Sequence, residues 1–321
     1  MSRVVVELKQ LSSDIISTTV SLFKIMIPMI ILIKLADELG GVTLLGELLE
    51  PLMGILGLPS SMALVWATTM LTNLYAGILV LINTDVTLTV AQVTVLSSLL
   101  LLSHGLPIEG MISKKAGVPI WSILLLRVGG GVIFAWLQNA YYESTAANQH
   151  VAQILWQNES PVYENHFDWA IGQVENLISI FLVISVLITV IRLLKLLRIE
   201  HLMALLMMPL LKVLKVSKEA ANLAVIGITL GLSYGGGLII NETKKGNLTA
   251  KDALITVMLL NLLHSVLEDT ALVLLLGADL NMVLWARILF SVCVMAIISQ
   301  AYTTLANRKG RIECQSKSQI L

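Results

Sequence analysis

The chain has 321 residues, 56% of them hydrophobic and 13% charged, and a mean hydropathy of +0.86. A soluble domain carries about 25% charged residues, so too little polar side chain is present here to wet the surface of one soluble domain. The 21 basic and 21 acidic residues cancel, which argues against nucleic acid as a partner and, with the apolar content, against a disordered chain.

Residues 1–16, with Arg3, Lys9 and Asp14, read as an amphipathic lead-in without the cleavage pattern of a signal peptide. Ten apolar runs follow: 17–37, 43–57, 60–82, 89–112, 119–140, 174–194, 201–216, 219–240, 252–276 and 283–306. Most reach the ~20 residues that a helix needs to cross a bilayer, while the second and seventh are short. The expectation is an all-α polytopic membrane protein of about ten segments.

Sidedness comes from Lys and Arg. None falls between Arg127 and Arg192, and the polar stretch 141–172 within that interval holds Glu143, Glu159, Glu164 and Asp168. This stretch belongs outside. The tail 307–321, with Arg308, Lys309, Arg311 and Lys317, belongs inside. Ten crossings then put both termini in the cytoplasm of a bacterial inner membrane, and Lys114, Lys115, Lys244, Lys245 and Lys251 inside. Lys212, Lys215 and Lys218 break the rule, because ten crossings place them outside. Cys293 and Cys314 form no disulfide framework and read as free thiols.

The halves 17–140 and 173–306 repeat one another. At an offset of 158 residues Pro51 meets Pro209, Ala63 meets Ala221, Asn83 meets Asn241 and Lys34 meets Arg192. After a two-residue insertion the offset is 160: Thr89 meets Thr249, His104 meets His264, Glu109 meets Asp269, Gly117 meets Gly277 and Arg127 meets Arg287. Rare polar residues matched inside apolar runs mark a duplication. Five segments in each half make the halves inverted, a design of secondary transporters whose interrupted helices meet at mid-membrane.

The fourth run is interrupted by Gly105 and Pro107 beside His104 and Glu109. In the ninth run Asn261, His264 and Glu268 fall on one face if it is continuous helix, with Asp269 adjacent. Ionisable residues at that depth are costly and point to function. Glu268, unmatched in the repeat, is the first candidate for coupling to H⁺ or Na⁺, with Asp269 beside it. Arg127 and Arg287 either bind an anionic group or pair with Glu109 and Asp269. Asn73 and Tyr75 in the third run, and Ser233, Tyr234 and Asn241 in the eighth, are expected with His104, Glu109, Asn261 and His264 to line a solute cavity. Gly227, Gly231 and Gly235, four apart, allow close helix packing. No cluster has zinc-site spacing, so no metal and no cofactor is expected. His150, His166 and His201 read as loop residues.

Glu50, Pro51, Gly54, Gly57 and Pro59, the stretch Thr72–Gly77, Pro209–Val216 and the Gly231–Gly237 run are similar to the Gate, or nucleoside-recognition, domain family. That family includes spore maturation proteins and the membrane part of ferrous-iron transporters, and is related to concentrative nucleoside transporters. The second copy departs from the pattern, with Lys215, Val216 and Ser217 in place of Gly-Leu-Pro. The resemblance implies nucleoside binding without fixing the substrate. With the interrupted helices, the expectation is an ion- or proton-coupled carrier of a small polar or anionic solute, nucleoside-like or an organic anion, working by alternating access and not an enzyme. A lipid or lipid-phosphate flippase, a membrane scaffold or receptor, and an intramembrane serine hydrolase using Ser233 and His264 are the alternatives. Self-association is left open.

Overall fold

The structure, a computed structural model, describes residues 3–84, 86–154, 165–196 and 199–318. Each apolar run is helical, and the described residues contain no strand beyond an isolated bridge between Thr89 and Val151. The first half comprises α1 (Arg3–Glu38), α2 (Gly41–Ile55), α3 (Met62–Leu71), α4 (Leu74–Ile82), α5 (Val90–Ser103), α6 (Leu106–Lys115), α7 (Ile120–Leu124) and, after a π-helical turn at Leu125–Gly129, α8 (Gly130–Thr145). The second half comprises α9 (His166–Leu196), α10 (Ile199–Lys212), α11 (Lys218–Leu230), α12 (Leu232–Lys244), α13 (Ala250–Leu262), α14 (Val266–Leu274) and, after a π-helical turn at Asn281–Ala286, α15 (Arg287–Ser318).

Three boundaries differ from the sequence reading. The lead-in is continuous with α1. The basic tail continues α15 as backbone, its side chains lying outside the described residues. The acidic loop narrows because α8 runs on to Thr145 and α9 begins at His166, which is therefore a helix residue, as is the backbone of His201 in α10. Residues 148–152 lie against the start of α5, with Ala91 N–H donating to Asn148 O at 2.9 Å and Ala152 N–H to Leu88 O at 2.9 Å. Glu159, Glu164, Asp85 and Arg198 lie outside the described residues.

Six helices are long and apolar enough to cross a membrane: Lys9–Ala36, Val90–Lys115, Ile120–Thr145, His166–Val190, Ala250–Leu274 and Asn281–Thr304. Of the most apolar window in each, 67% and 72% is buried in the second and fifth but 11% in the first. The two interrupted helices are therefore the core. α1 instead presents Val20, Ile27, Ile31 and Leu35 outward, as α9 does Val174, Ile178, Leu182 and Val186. An apolar surface on this scale suits hydrocarbon and not water.

The remaining runs are shaped differently. A Cβ on Gly77 would collide with Thr69 Oγ1 and lie 3.3 Å from Val65 O, so α4 folds back along α3. A Cβ on Gly235 would lie 2.5 Å from Gly227 Cα, so α12 folds back along α11 in the same way. Each pair is a hairpin whose tip breaks at Thr72–Asn73 or at Gly231 (φ 93°). Asn73 caps its arm by accepting from Ala76 N–H at 2.9 Å.

Contacts fix which elements share an end of the bundle. At one end the Glu38 carboxylate of α1 lies 3.6 Å from His166 of α9. Gln92 of α5 donates to Gly57 O at 3.0 Å, and Asp279 N–H donates to Thr94 Oγ1 at 2.9 Å. At the other end Arg192 of α9 meets Glu7 at 2.7 Å and Asp14 at 3.0 Å, and Ser217 N–H donates to Asp252 at 2.9 Å. Repeat-equivalent helices α1 and α9 thus run antiparallel, as do α5–α6 and α13–α14. Helix α2 begins and ends at the first end, and α10 stays at the second.

Gly235→Ala should lower the melting temperature of the detergent-purified protein by an amount corresponding to about 1–3 kcal/mol, since backbone must shift to admit the methyl. Gly237→Ala, whose added methyl would meet nothing within 4 Å, should not lower it.

Candidate functional site

Four breaks meet at the centre. Helix α5 ends at His104, extended at φ −70° and ψ 156°, followed by Gly105 at φ +61° and by Pro107 in the first turn of α6. Helix α13 ends at Leu263, and Ser265 takes the left-handed conformation at φ +47°. Serine there, where the repeat has glycine, is a strained choice that its surroundings must hold. The first hairpin supports the first break, with Gly105 N–H donating to Thr69 O at 3.0 Å. The second hairpin abuts the second: a Cβ on Gly231 would lie 2.9 Å from Ser265 Oγ.

A helix that stops inside a bundle leaves carbonyls without N–H partners. Here the two arginines supply donors to freed carbonyls, and each histidine Nδ1 faces a carbonyl one turn back, that of Leu100 also accepting from the His104 backbone N–H. Arg127 Nε donates to Leu102 O at 2.8 Å, and Arg287 Nε to Leu262 O at 3.2 Å. His104 Nδ1 faces Leu100 O at 3.2 Å and His264 Nδ1 faces Leu260 O at 2.7 Å. All four contacts repeat at the same 160-residue offset. Both arginines sit at or just beyond a π-helical turn, which widens the helix and redirects a side chain inward. Opposite them, Glu109 lies in the first turn of α6, and Glu268 and Asp269 in the first turn of α14. Cations thus face helix C-termini and anions sit at N-termini, each matching the local dipole.

The structure forms one of the two expected ion pairs. Arg127 Nη1 pairs with Glu109 Oε2, and Arg127 is fully buried. Arg287 instead adds a long contact to Leu101 O, at 3.5 Å, and makes no ion pair with Asp269. The break at Leu263–Ser265 also separates His264 from Glu268, so they do not share a helix face. Glu268 is reached from the other half, where Tyr75 donates to its Oε1 at 3.1 Å. His264 meets His104, Nε2 to Nε2 at 3.0 Å, and Glu109 Oε1 at 3.1 Å. Asn261 donates to Ser113 Oγ of α6 at 2.8 Å. Ser113 escaped the sequence reading, although it stands one turn from Glu109 on the same face of α6. Trp66, donating to Ser103 Oγ at 2.8 Å, was also missed. Asn73 acts as a helix cap, while Asn241 is exposed three residues from the end of α12. The side chains of Ser233 and Tyr234 lie outside the described residues.

Of the residues that could hold a metal, His104, His264 and Asp269 bring their ligand atoms within 4.8 Å of one another. Chain spacing gave no sign of this, because two of the breaks must meet to assemble it.

The fold and its apolar exterior define a polytopic helical membrane protein. The chain is similar to the uncharacterized membrane protein YvoD of Bacillus subtilis (strain 168), 25% identical over 292 residues, which covers 88% of this chain and 90% of YvoD. No protein-family model matches the chain, and no solved structure matches it.

Arg127→Met should destabilise the protein by about 3–5 kcal/mol, the usual penalty for leaving a buried carboxylate unpaired. Adding Glu109→Gln should recover part of that loss in thermal melts, as expected for directly coupled residues.

Proposed function

We propose that the protein is a secondary transporter of a bacterial cytoplasmic membrane, built from two inverted halves. Each half contributes three crossings, one re-entrant hairpin and one interfacial helix: α1, α5–α6 and α7–α8 cross in the first, and α9, α13–α14 and the α15 segment in the second. Both termini are cytoplasmic. This topology has six crossings where hydropathy runs alone suggest ten. It is supported by the hairpins and by α2 and α10, each of which stays at one end of the bundle. It also removes the anomaly of Lys212, Lys215 and Lys218, which come to the cytoplasmic side with the other lysines. An odd number of crossings per half keeps the halves inverted.

The observation that carries the transport reading is the convergence of two interrupted helices and two hairpin tips on one buried polar cluster shared by both halves. Irregular backbone at membrane depth is tolerated where it is buried in protein or lines a water-filled cavity, and paired breaks at the interface of two halves are the binding-site design of secondary transporters. Glu109, Glu268 and Asp269 against Arg127 and Arg287 leave one excess negative charge, which suits a cation, H⁺ or Na⁺, travelling with the solute. A small polar or anionic solute, of the nucleoside or organic-anion class, fits the Asn, Tyr and Arg groups of the cluster. The likeness to the Gate family supports the same class.

Topology is tested with single cysteines in a Cys293→Ser, Cys314→Ser background. Ser60→Cys should react with an impermeant maleimide from the same side as Asn148→Cys, and Lys215→Cys from the opposite side. Ten crossings predict the reverse for Ser60 and Lys215. Transport is tested in proteoliposomes with labelled nucleosides and dicarboxylates under H⁺ and Na⁺ gradients. For a solute that accumulates, Tyr75→Phe and Glu268→Gln should each cut uptake about tenfold or more, the value of a charge-assisted hydrogen bond. No accumulation of any probe, or uptake unchanged in both variants, would rule the assignment out.

A further inference from the structure

The contact between His104 and His264 leaves a chemical demand unmet. Each Nδ1 faces a carbonyl oxygen, which only accepts, so each neutral ring keeps its hydrogen on Nδ1. Each Nε2 is then a bare lone pair, and the two stand 3.0 Å apart in a buried site. Glu109 Oε1 adds a third acceptor, 3.1 Å from His264 Nε2 and 3.5 Å from His104 Nε2. Asp269 Oδ2 is the fourth, 3.9 Å from His104 Nε2. Asp269 is 8% exposed, and its Oδ2 has no hydrogen-bond partner. Four acceptors that face one another repel unless a cation sits among them.

We propose that His104 Nε2, His264 Nε2, Glu109 Oε1 and Asp269 Oδ2 bind one divalent transition-metal ion. Zinc-class ions hold nitrogen and oxygen ligands at about 2.0–2.1 Å, which separates tetrahedral ligands by about 3.3 Å. Four of the six separations are 3.0, 3.1, 3.5 and 3.9 Å and bracket that value; His104, His264 and Asp269 place their ligand atoms within 4.8 Å of one another, and Glu109 joins them through the two histidines. The supporting contacts are those of a metal site. Each histidine gives its other ring N–H to a backbone carbonyl, and the second oxygen of Glu109 is held by Arg127. Two imidazoles select zinc, cobalt, nickel or iron(II) over Na⁺, Mg²⁺ or Ca²⁺, which prefer oxygen. The ligands come in equal number from the two halves, so the ion bridges the repeat interface. The site rests on this geometry and not on transport, so its test reads binding alone.

The full-length protein, purified in detergent and stripped with chelator, is titrated with Co²⁺ and Zn²⁺. We expect about one ion per chain and the visible absorption of a four-coordinate Co²⁺ with nitrogen and oxygen ligands. Zn²⁺ should raise the melting temperature. His264→Gln should weaken binding by about 100-fold or more, beyond what loss of an outer partner does, while His150→Gln, at an exposed position, should leave it unchanged. X-ray absorption of the zinc-loaded wild type should show two imidazoles, a readout that needs no variant to fold. No stoichiometric uptake by the wild type, or a bound ion without imidazole ligands, overturns the proposal. The first result would mean that a proton bridges the two rings.

Discussion

A carbonyl freed where a helix stops inside a bilayer has no water to bond, and leaving it unpaired costs several kcal/mol. Everything at the centre of this protein follows from that constraint. Helices α5 and α13 both stop half-way, and Arg127 and Arg287 donate to the freed carbonyls of Leu102 and Leu262, with His264 Nδ1 at Leu260 O and His104 Nδ1 at Leu100 O, which also accepts from the His104 backbone N–H. Two buried guanidinium groups then demand counter-charge. The carboxylates that answer stand at the start of α6 and α14, where the dipole also favours them. Polarity in the core is therefore first a consequence of breaking helices, and its chemistry is built on that necessity.

The contacts that recur at the 160-residue offset explain why the arrangement closes. Each half brings one broken helix, one hairpin, one capping arginine and one capping histidine. Because equivalent helices run antiparallel, the two breaks approach tip to tip, and His104 meets His264 across the interface. The same solution used twice places like groups face to face. It generates the excess of acceptors on which both functional readings turn. The halves are not identical at this point: Glu109 is paired by Arg127, whereas Asp269 is left without a hydrogen-bond partner, and Glu268 with its Tyr75 contact has no counterpart in the first half.

Much of this was legible in the sequence. The break at Gly105–Pro107 and the pairing of Glu109 with Arg127 rest on local chemistry that a linear reading resolves. The hairpins were not legible, since a hydrophobic run with a sharp turn has the same composition as one without. The glycines at 227, 231 and 235 signalled close packing, and the structure shows three different partners: Leu260 of α13 at Gly227, Ser265 at Gly231 and the other arm of the same run at Gly235. In the proposed six-crossing topology the two hairpins and the short helices do not cross, and Lys212, Lys215 and Lys218 fall on the side of the other lysines.

By itself the sequence determined that this is a helical membrane protein, where one core helix must break and which rare residues recur at a fixed offset. Those properties depend on hydropathy, charge and residue type along the chain. Only the tertiary structure decided which runs fold back and which polar groups touch. The decisive contacts join residues 160 apart, His104 with His264, and 193 apart, Tyr75 with Glu268. No spacing rule reaches across such intervals. The antiparallel packing of the two halves creates those contacts.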